Sequence, residues 1–345
     1  MQIFAFKMKS IKQILTFTLL SFAIVGCEKM FIEPPANNPE SIFENLWTTF
    51  NEEYAPFEER HVDWKAEYNT YRPMVNSTTT DAELFSILSQ MLGKLDDGHV
   101  SLTAPGRDVF YANKIRNELI DDELFSIPVV KTYLETGYKE GEEHSYIYGK
   151  IKNENVAYIY FDYVAENFFN LKDFLNEYST VNGYIIDMRH NQGGDFTYCF
   201  SEIGRLTDQS HYVFRSKTKN GKGPNDYTDW YEWSIQPKGA YIDKPIIVLI
   251  DRYTISAGER TVMAFNTLPN VTLMGDTTNG AHGTMIGREL ANGWFYSLVP
   301  QKTELSDGKS YEGIGIAPDV YSKNLLSEIT TGIDKTLQTA IDNLK

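Results

Sequence analysis

Cysteine is nearly absent: this 345-residue chain has two, Cys27 and Cys199, which excludes a disulfide scaffold and a cysteine-rich metal site. Histidine is scarce too, with six residues and no histidine or cysteine cluster at metal-ligand spacing, so no metal and no other cofactor is expected. Positive charge is in deficit. Lys and Arg number 32 against 47 Asp and Glu, a net charge of −15, which argues against nucleic acid and against peripheral binding to anionic lipid. Long apolar runs are missing: Ile14 to Val25 is too short and too soon interrupted for a stable membrane span. No internal repeat or low-complexity tract is evident.

What the N-terminus does have is a leader pattern. Lys7, Lys9 and Lys12 precede the apolar run, and Ile24-Val25-Gly26-Cys27 follows, with Met8 as an alternative start. A positive region, an apolar region and a small residue before the cut make a secretory signal over residues 1–26. Its I-V-G-C end resembles a lipoprotein signal, which implies lipidation of Cys27 and a protein anchored in a bacterial envelope, on the periplasmic or surface face of the outer membrane. An ordinary secreted protein with a chance cysteine is the competing reading. A lipidated Cys27 leaves Cys199 unpaired, as buried packing in a helix. The leader carries three lysines and no acid, so the chain without it has a net charge of −18.

The remainder divides by composition. Residues 27–40, with Pro34-Pro35 and Asn37-Asn38-Pro39, read as an extended tether, and Asn38-Pro39 also suits an N-cap and first helical position. Ile42, Phe43, Leu46, Trp47 and Phe50 share a helical face, and Thr80-Asp81-Ala82-Glu83 has the form of a capping box before Leu84 to Leu95. Residues 41–95 therefore predict a small helical N-terminal domain. Residues 96–345 predict a second, larger domain, with a small β-containing segment at 101–151. Val156 to Val164, Val181 to Met188 and Pro245 to Asp251 read as strands alternating with helices, the segment 218–237 as a lid or groove wall, and Ile333, Leu337, Ile341 and Leu344 as a terminal helix. The fold class is α/β. Aromatics make up 14% of residues, 22 of them Tyr, consistent with either an extended groove or a tyrosine-rich surface.

Chemistry concentrates in short segments. Ser256 falls between the apolar run ending at Asp251 and a helical stretch from Ala257, with Glu259 in its first turn. A serine at such a junction has free backbone N–H groups beside it. It reads either as a helix N-cap or as a nucleophile whose oxyanion the next N–H stabilises. Gly193-Gly194 follow another strand and let backbone N–H groups approach a ligand closely, and the segment lacks the G-x-G-x-x-G and G-K-[ST] patterns of phosphate binding. A serine hydroxyl needs a base near neutral pH, and Asp96-Asp97-Gly98 delivers His99 after a helix. Asp187 with Arg189 reads as an internal ion pair and Glu259 as a structural carboxylate.

With Tyr311-Glu312-Gly313-Ile314-Gly315, these ordered segments resemble the C-terminal processing peptidase family of serine peptidases, on its tricorn-core-like branch, from about Leu95 to Val320. The resemblance implies a Clp-protease/crotonase-like core and assigns Ser256 as nucleophile, His99 as base and Glu312 as the acid that orients it. It places the oxyanion hole at Ala257 with Gly193 or Gly194. Many members carry a PDZ domain after the helical region. About 50 residues are available there, roughly half of what such a domain needs, so its absence is expected.

A second branch of the family uses a Ser–Lys dyad. The matching stretch here, Thr278 to Gly283, has no lysine, and the first lysine after Ser256 is Lys302, which disfavours that mechanism. His282 falls beside the dyad position and is the alternative base. Gly98 stands where the tricorn-like pattern carries a serine that relays Glu to His, so Glu312 must reach His99 directly or through water. The expected protein is an envelope serine peptidase acting on peptides or partly unfolded proteins, in an oligomeric state that the sequence does not fix. The alternative is a catalytically inactive lipoprotein of the same fold that binds peptides or an apolar ligand.

Overall fold

A computed structural model describes residues 36–239 and 241–345. The leader, Cys27 and most of the 27–40 tether lie outside the described residues. No helix among those described is long and apolar enough to cross a membrane.

The apolar runs become the middle of a seven-stranded sheet. Its order is Val320–Tyr321, Val271–Gly275, Ile246–Ile250, Gly183–Asp187, Val156–Phe161, Tyr146–Lys150 and Lys139–Glu140. The first five strands run parallel and the last two pair antiparallel. Ile246–Ile250 and Gly183–Asp187 are buried at every residue, because helices cover both faces. Alternate residues serve opposite cores. Ala157, Ile159, Ile186, Val248 and Leu273 face a layer holding helices Asn170–Glu177, Thr197–Ile203 and Ala257–Phe265. Tyr158, Tyr160, Ile185, Leu249 and Met274 face Val130, Leu337 and Ile341 on the other side. The terminal helix spans Lys335–Asn343, and Ile333, expected on its apolar face, lies outside it and exposed.

The N-terminal helices form as expected. Asn38 Oδ1 accepts from Ser41 N with Pro39 at the first position, and Thr80 and Glu83 cap helix Asp81–Leu92 reciprocally. They do not close a core alone. Phe43, Phe50, Leu88 and Leu92 pack with Leu102, Trp294, Tyr296 and Leu298, from an antiparallel sheet ordered Ile286–Glu289, Phe295–Leu298, Ser101–Thr103, Phe110–Tyr111. The boundary expected between residues 95 and 96 thus runs through one continuous core. Part of the 218–237 segment is strand: Tyr231–Ile235 pairs with His211–Thr218, which pairs with Gln301–Leu305.

Candidate active site

The site is built where parallel strands end. After Ile246–Ile250 the chain turns through Asp251 to Ile255, with Thr254 Oγ1 donating to the Met188 carbonyl at 2.8 Å. Ser256 then takes φ +61° and ψ −123° before helix Ala257–Phe265 begins. A non-glycine residue there costs on the order of 1–3 kcal/mol, and the neighbouring turn imposes it. Ile255 N donates to Asn191 O at 3.1 Å, Ser256 N to Ala281 O at 3.2 Å, and Ser256 N also to Glu259 Oε2 at 3.2 Å.

The glycine pair completes the other side. Gly193 has φ +86°, and a Cβ there would meet Ser256 Cβ at 2.7 Å; a Cβ on Gly194 would meet the Val164 carbonyl oxygen at 2.1 Å. Backbone can approach the serine this closely only because neither residue has a side chain. The two glycines differ in what their N–H groups do. Gly193 N donates to Asn191 Oδ1 at 3.1 Å, so it is already engaged. Among the described residues no acceptor meets Gly194 N or Ala257 N, and both residues line one cavity of about 760 Å³ with Ser256 and His99.

His99 is buried, with its Nδ1 unpartnered among the described residues. Burial pushes its pKa down to about 4, against the raising influence of Asp97, so the ring is neutral at pH 7. Asp97 braces the loop: Oδ1 accepts from His99 N at 2.8 Å and Oδ2 from Tyr54 Oη at 2.7 Å. Arg60 Nε lies 3.3 Å from Asp97 Oδ2, and Arg60 Nη2 lies 3.2 Å from Glu312 Oε1.

Glu312 therefore sits differently from expectation. It faces Arg60 and accepts from His282 N at 2.9 Å through Oε2, and makes no hydrogen bond to His99. Segment 278–282 stands beside it: Gly313 N donates to the Gly280 carbonyl at 2.8 Å, and Arg60 Nη2 to the same oxygen at 2.7 Å. A Cβ on Gly98 would meet Ile255 Cδ1 at 2.4 Å and Asn279 Oδ1 at 2.7 Å, so a relay serine at position 98 requires both side-chain ends to shift.

His282 is fully buried, its Nε2 lying 3.0 Å from Glu259 Oε1 and its Nδ1 3.8 Å from Glu312 Oε2. Burial favours the neutral ring, but Glu259 outweighs it and raises the pKa. Glu259 also accepts from Thr278 Oγ1 at 2.6 Å, Gly280 N at 2.8 Å and Ala281 N at 2.9 Å. Burial opposes its ionisation, and His282 with these donors overcomes that and holds the carboxyl below its ordinary range. The pair clamps segment 278–282 onto the serine helix.

Two expected structural roles are seen. Arg189 bridges Asp187 at 2.6 Å and Asp334 at 2.8 Å, all buried, and so ties the glycine turn to the terminal helix. Cys199 is buried, its pKa pushed up to about 12 by burial. No group of histidine, cysteine and carboxylate residues among the described residues could hold a metal ion.

Comparison with known proteins covers the segments that carry Ser256, the glycine pair and Glu312. Residues 155–322 match Peptidase family S41 and residues 35–93 match the Tricorn protease C1 domain. The chain carries a Peptidase family S41 domain over residues 155–322. Among its relatives, carboxy-terminal processing protease CtpA of Bacillus subtilis (strain 168) is 27% identical over 50% of this chain and 36% of that protein. The carboxyl-terminal-processing protease of Synechocystis sp. is 31% identical over 48% of this chain and 37% of its own length. The matched segment thus spans little more than a third of these two curated relatives. A solved structure of a Parabacteroides merdae chain, 29% identical, superposes with a TM-score of 0.80 over 90% of this chain and 97% of the other. The fold of that chain therefore extends over nearly the whole described chain, and the S41 match covers residues 155–322 of it.

Residues 54–60 were not legible as part of the site. Tyr54 and Arg60 reach the His99 loop from the helical region, and no motif marks them. A buried third arginine, Arg260, was likewise missed.

Proposed function

We propose that this protein is a serine peptidase that hydrolyses peptides or partly unfolded proteins through an acyl-enzyme on Ser256. One observation carries the reading: Ser256 in a strained backbone conformation shares a cavity with a neutral histidine and two unengaged backbone N–H groups. Ser256 Oγ attacks the peptide carbonyl carbon while its proton passes to His99. The C–N bond then breaks and His99 returns the proton to the leaving amine; water, activated by the same ring, releases the acid. Ala257 N and Gly194 N stabilise the tetrahedral oxyanion, with Gly193 positioning the serine. Asp97 is the carboxylate that favours the imidazolium, and Glu312 holds the surrounding loops through Arg60 and His282.

The S41 relatives named for C-terminal processing support a peptide substrate. Lipidation of Cys27 would hold the enzyme in a bacterial envelope, and mass spectrometry of the native protein tests it: an unmodified Cys27 removes the anchor. For catalysis, soluble protein starting after Cys27 is incubated with an unfolded protein beside Ser256→Ala. Cleavage by the parent alone is expected. The unpartnered Nδ1 of His99 favours a second reading, a peptide-binding lipoprotein that has lost turnover. Covalent labelling of Ser256 by a fluorophosphonate excludes that reading, and failure to label in folded protein supports it.

A further inference from the structure

Three arginines are almost completely buried, and two of them are neutralised. Arg60 meets Asp97 and Glu312, and Arg189 meets Asp187 and Asp334. Arg260 is the exception. It is 4% exposed, yet among the described residues no carboxylate lies within ion-pair distance. Its Nε donates to the His282 carbonyl at 2.9 Å and its Nη2 to Gln301 Oε1, both neutral acceptors. Nη1 has no hydrogen-bond partner among the described residues. The guanidinium lies over the rings of Phe196 and Phe214, at 4.7 and 5.1 Å. Glu259 and Glu312 attract it from a distance, but their oxygens are taken by His282, segment 278–281 and Arg60.

A buried cation without a counter-ion is costly, and a carboxylate brought into contact with it offsets that cost. Burial indeed lowers the pKa of Arg260 to about 10. The residue follows Ser256 by four positions, one helical turn, and lines the same cavity. The neighbouring polar groups of that cavity do not neutralise it. Asp195 is exposed and its Oδ1 accepts from Thr197 N and Oγ1. Arg116, with no carboxylate partner among the described residues, adds a second cation over the Tyr111 ring at 4.4 Å. The groove is thus locally cationic in a protein whose net charge is −15: the whole-molecule field repels acidic chains at long range, and the site rewards a carboxylate at contact.

We propose that Arg260 is a specificity-determining residue that pairs with a substrate carboxylate within a residue or two of the scissile bond. An Asp or Glu side chain and a free C-terminus present the same group. The inference rests on the peptidase reading above for its position relative to the cut bond, but the carboxylate preference itself can be read by binding alone.

The test uses matched fluorescent peptides in two arms: an internal Glu against Gln, and a C-terminal acid against its amide. Parent protein is expected to cleave the acid form with a kcat/KM about 10- to 100-fold higher in the arm that supplies the carboxylate. Arg260→Gln is expected to bring that ratio close to one, and Arg260→Lys to retain part of it. Anisotropy on Ser256→Ala protein measures the same preference without turnover. Discrimination in binding with no cleavage by the parent sinks the peptidase reading and keeps this one. Equal cleavage and equal binding of acid and amide in both arms overturn the proposal, whether or not Arg260→Gln folds. An acid preference undiminished in folded Arg260→Gln also overturns it.

Discussion

His282 Nε2 lies 3.0 Å from Glu259 Oε1 inside the protein, with neither side chain reaching solvent. Burial works against a charge on this histidine, and the carboxylate that also fixes Ser256 N and the 278–281 backbone overcomes it and favours the imidazolium. Removing one member leaves the other charged and unpaired, at a cost of about 3–5 kcal/mol. His282→Gln is therefore expected to lose stability while its folded fraction keeps most of its turnover, and His99→Ala to lose turnover and keep its fold. The raised pKa of His282 gives the sign of the pH dependence. Its contribution is fully present below the ordinary histidine range and fades as pH rises through the elevated folded value. Denaturation of parent and His282→Gln across pH 5 to 9 checks this, and a gap that widens with pH contradicts it.

His99 titrates in the opposite sense. Burial places its pKa at about 4, below the roughly 6.5 of a free imidazole. A base that stays neutral to such acidity predicts kcat/KM that holds level through pH 6 and falls only on approach to about 4. The same depression makes the folded state resist protonation, so His99 subtracts stability as pH drops below about 6.5. His99→Gln should accordingly show a shallower acid loss of stability than the parent. A rate profile with an acid limb near 6.5 would rule out the buried neutral ring as the base.

Much of this site could be read from local sequence. The apolar run Pro245 to Asp251 forms the central strand, Ser256 follows it at a helix start, and Gly193-Gly194 pack against the serine as their lack of side chains allows. The Glu312 role could not be read, because it depends on which loop intervenes: segment 278–282 lies against Glu312 and takes its hydrogen bond. Arg60 was hidden for a related reason. Its carboxylate partner Glu312 is 252 residues away, and an isolated arginine after a helix has the appearance of a surface residue. Gln301 and Phe214, which seat Arg260, come from a sheet whose pairing leaves no periodic mark near residue 260.

The backbone at Ser256 makes a prediction that separates strain from chemistry. At φ +61° and ψ −123° glycine is comfortable and alanine is not. Ser256→Gly and Ser256→Ala both remove the nucleophile and both should fail to label with a fluorophosphonate. Their stabilities should differ, with the glycine variant higher by about 1 kcal/mol. Equal melting temperatures would place Ser256 in an unstrained conformation and take away the local support for a nucleophile turn.

Arg60 joins the helical region to the loops on which the site depends. It meets Asp97, the brace of the His99 loop, and Glu312, which holds segment 278–282. Arg60→Met leaves those two buried carboxylates facing each other's field without a cation, a change worth about 3–5 kcal/mol. Tyr54→Phe removes only the hydroxyl that donates to Asp97 at 2.7 Å, a bond to a charged group worth about 1.5–3 kcal/mol. Both variants should lower the denaturation midpoint, Arg60→Met by more. If Asp97 is the carboxylate that favours the imidazolium of His99, Tyr54→Phe should also raise the acid limb of the kcat/KM profile, since the carboxylate charge is then less dispersed. A loss of stability with an unmoved acid limb would make residues 54–60 purely structural and would remove Asp97 from the proposed proton-transfer chemistry.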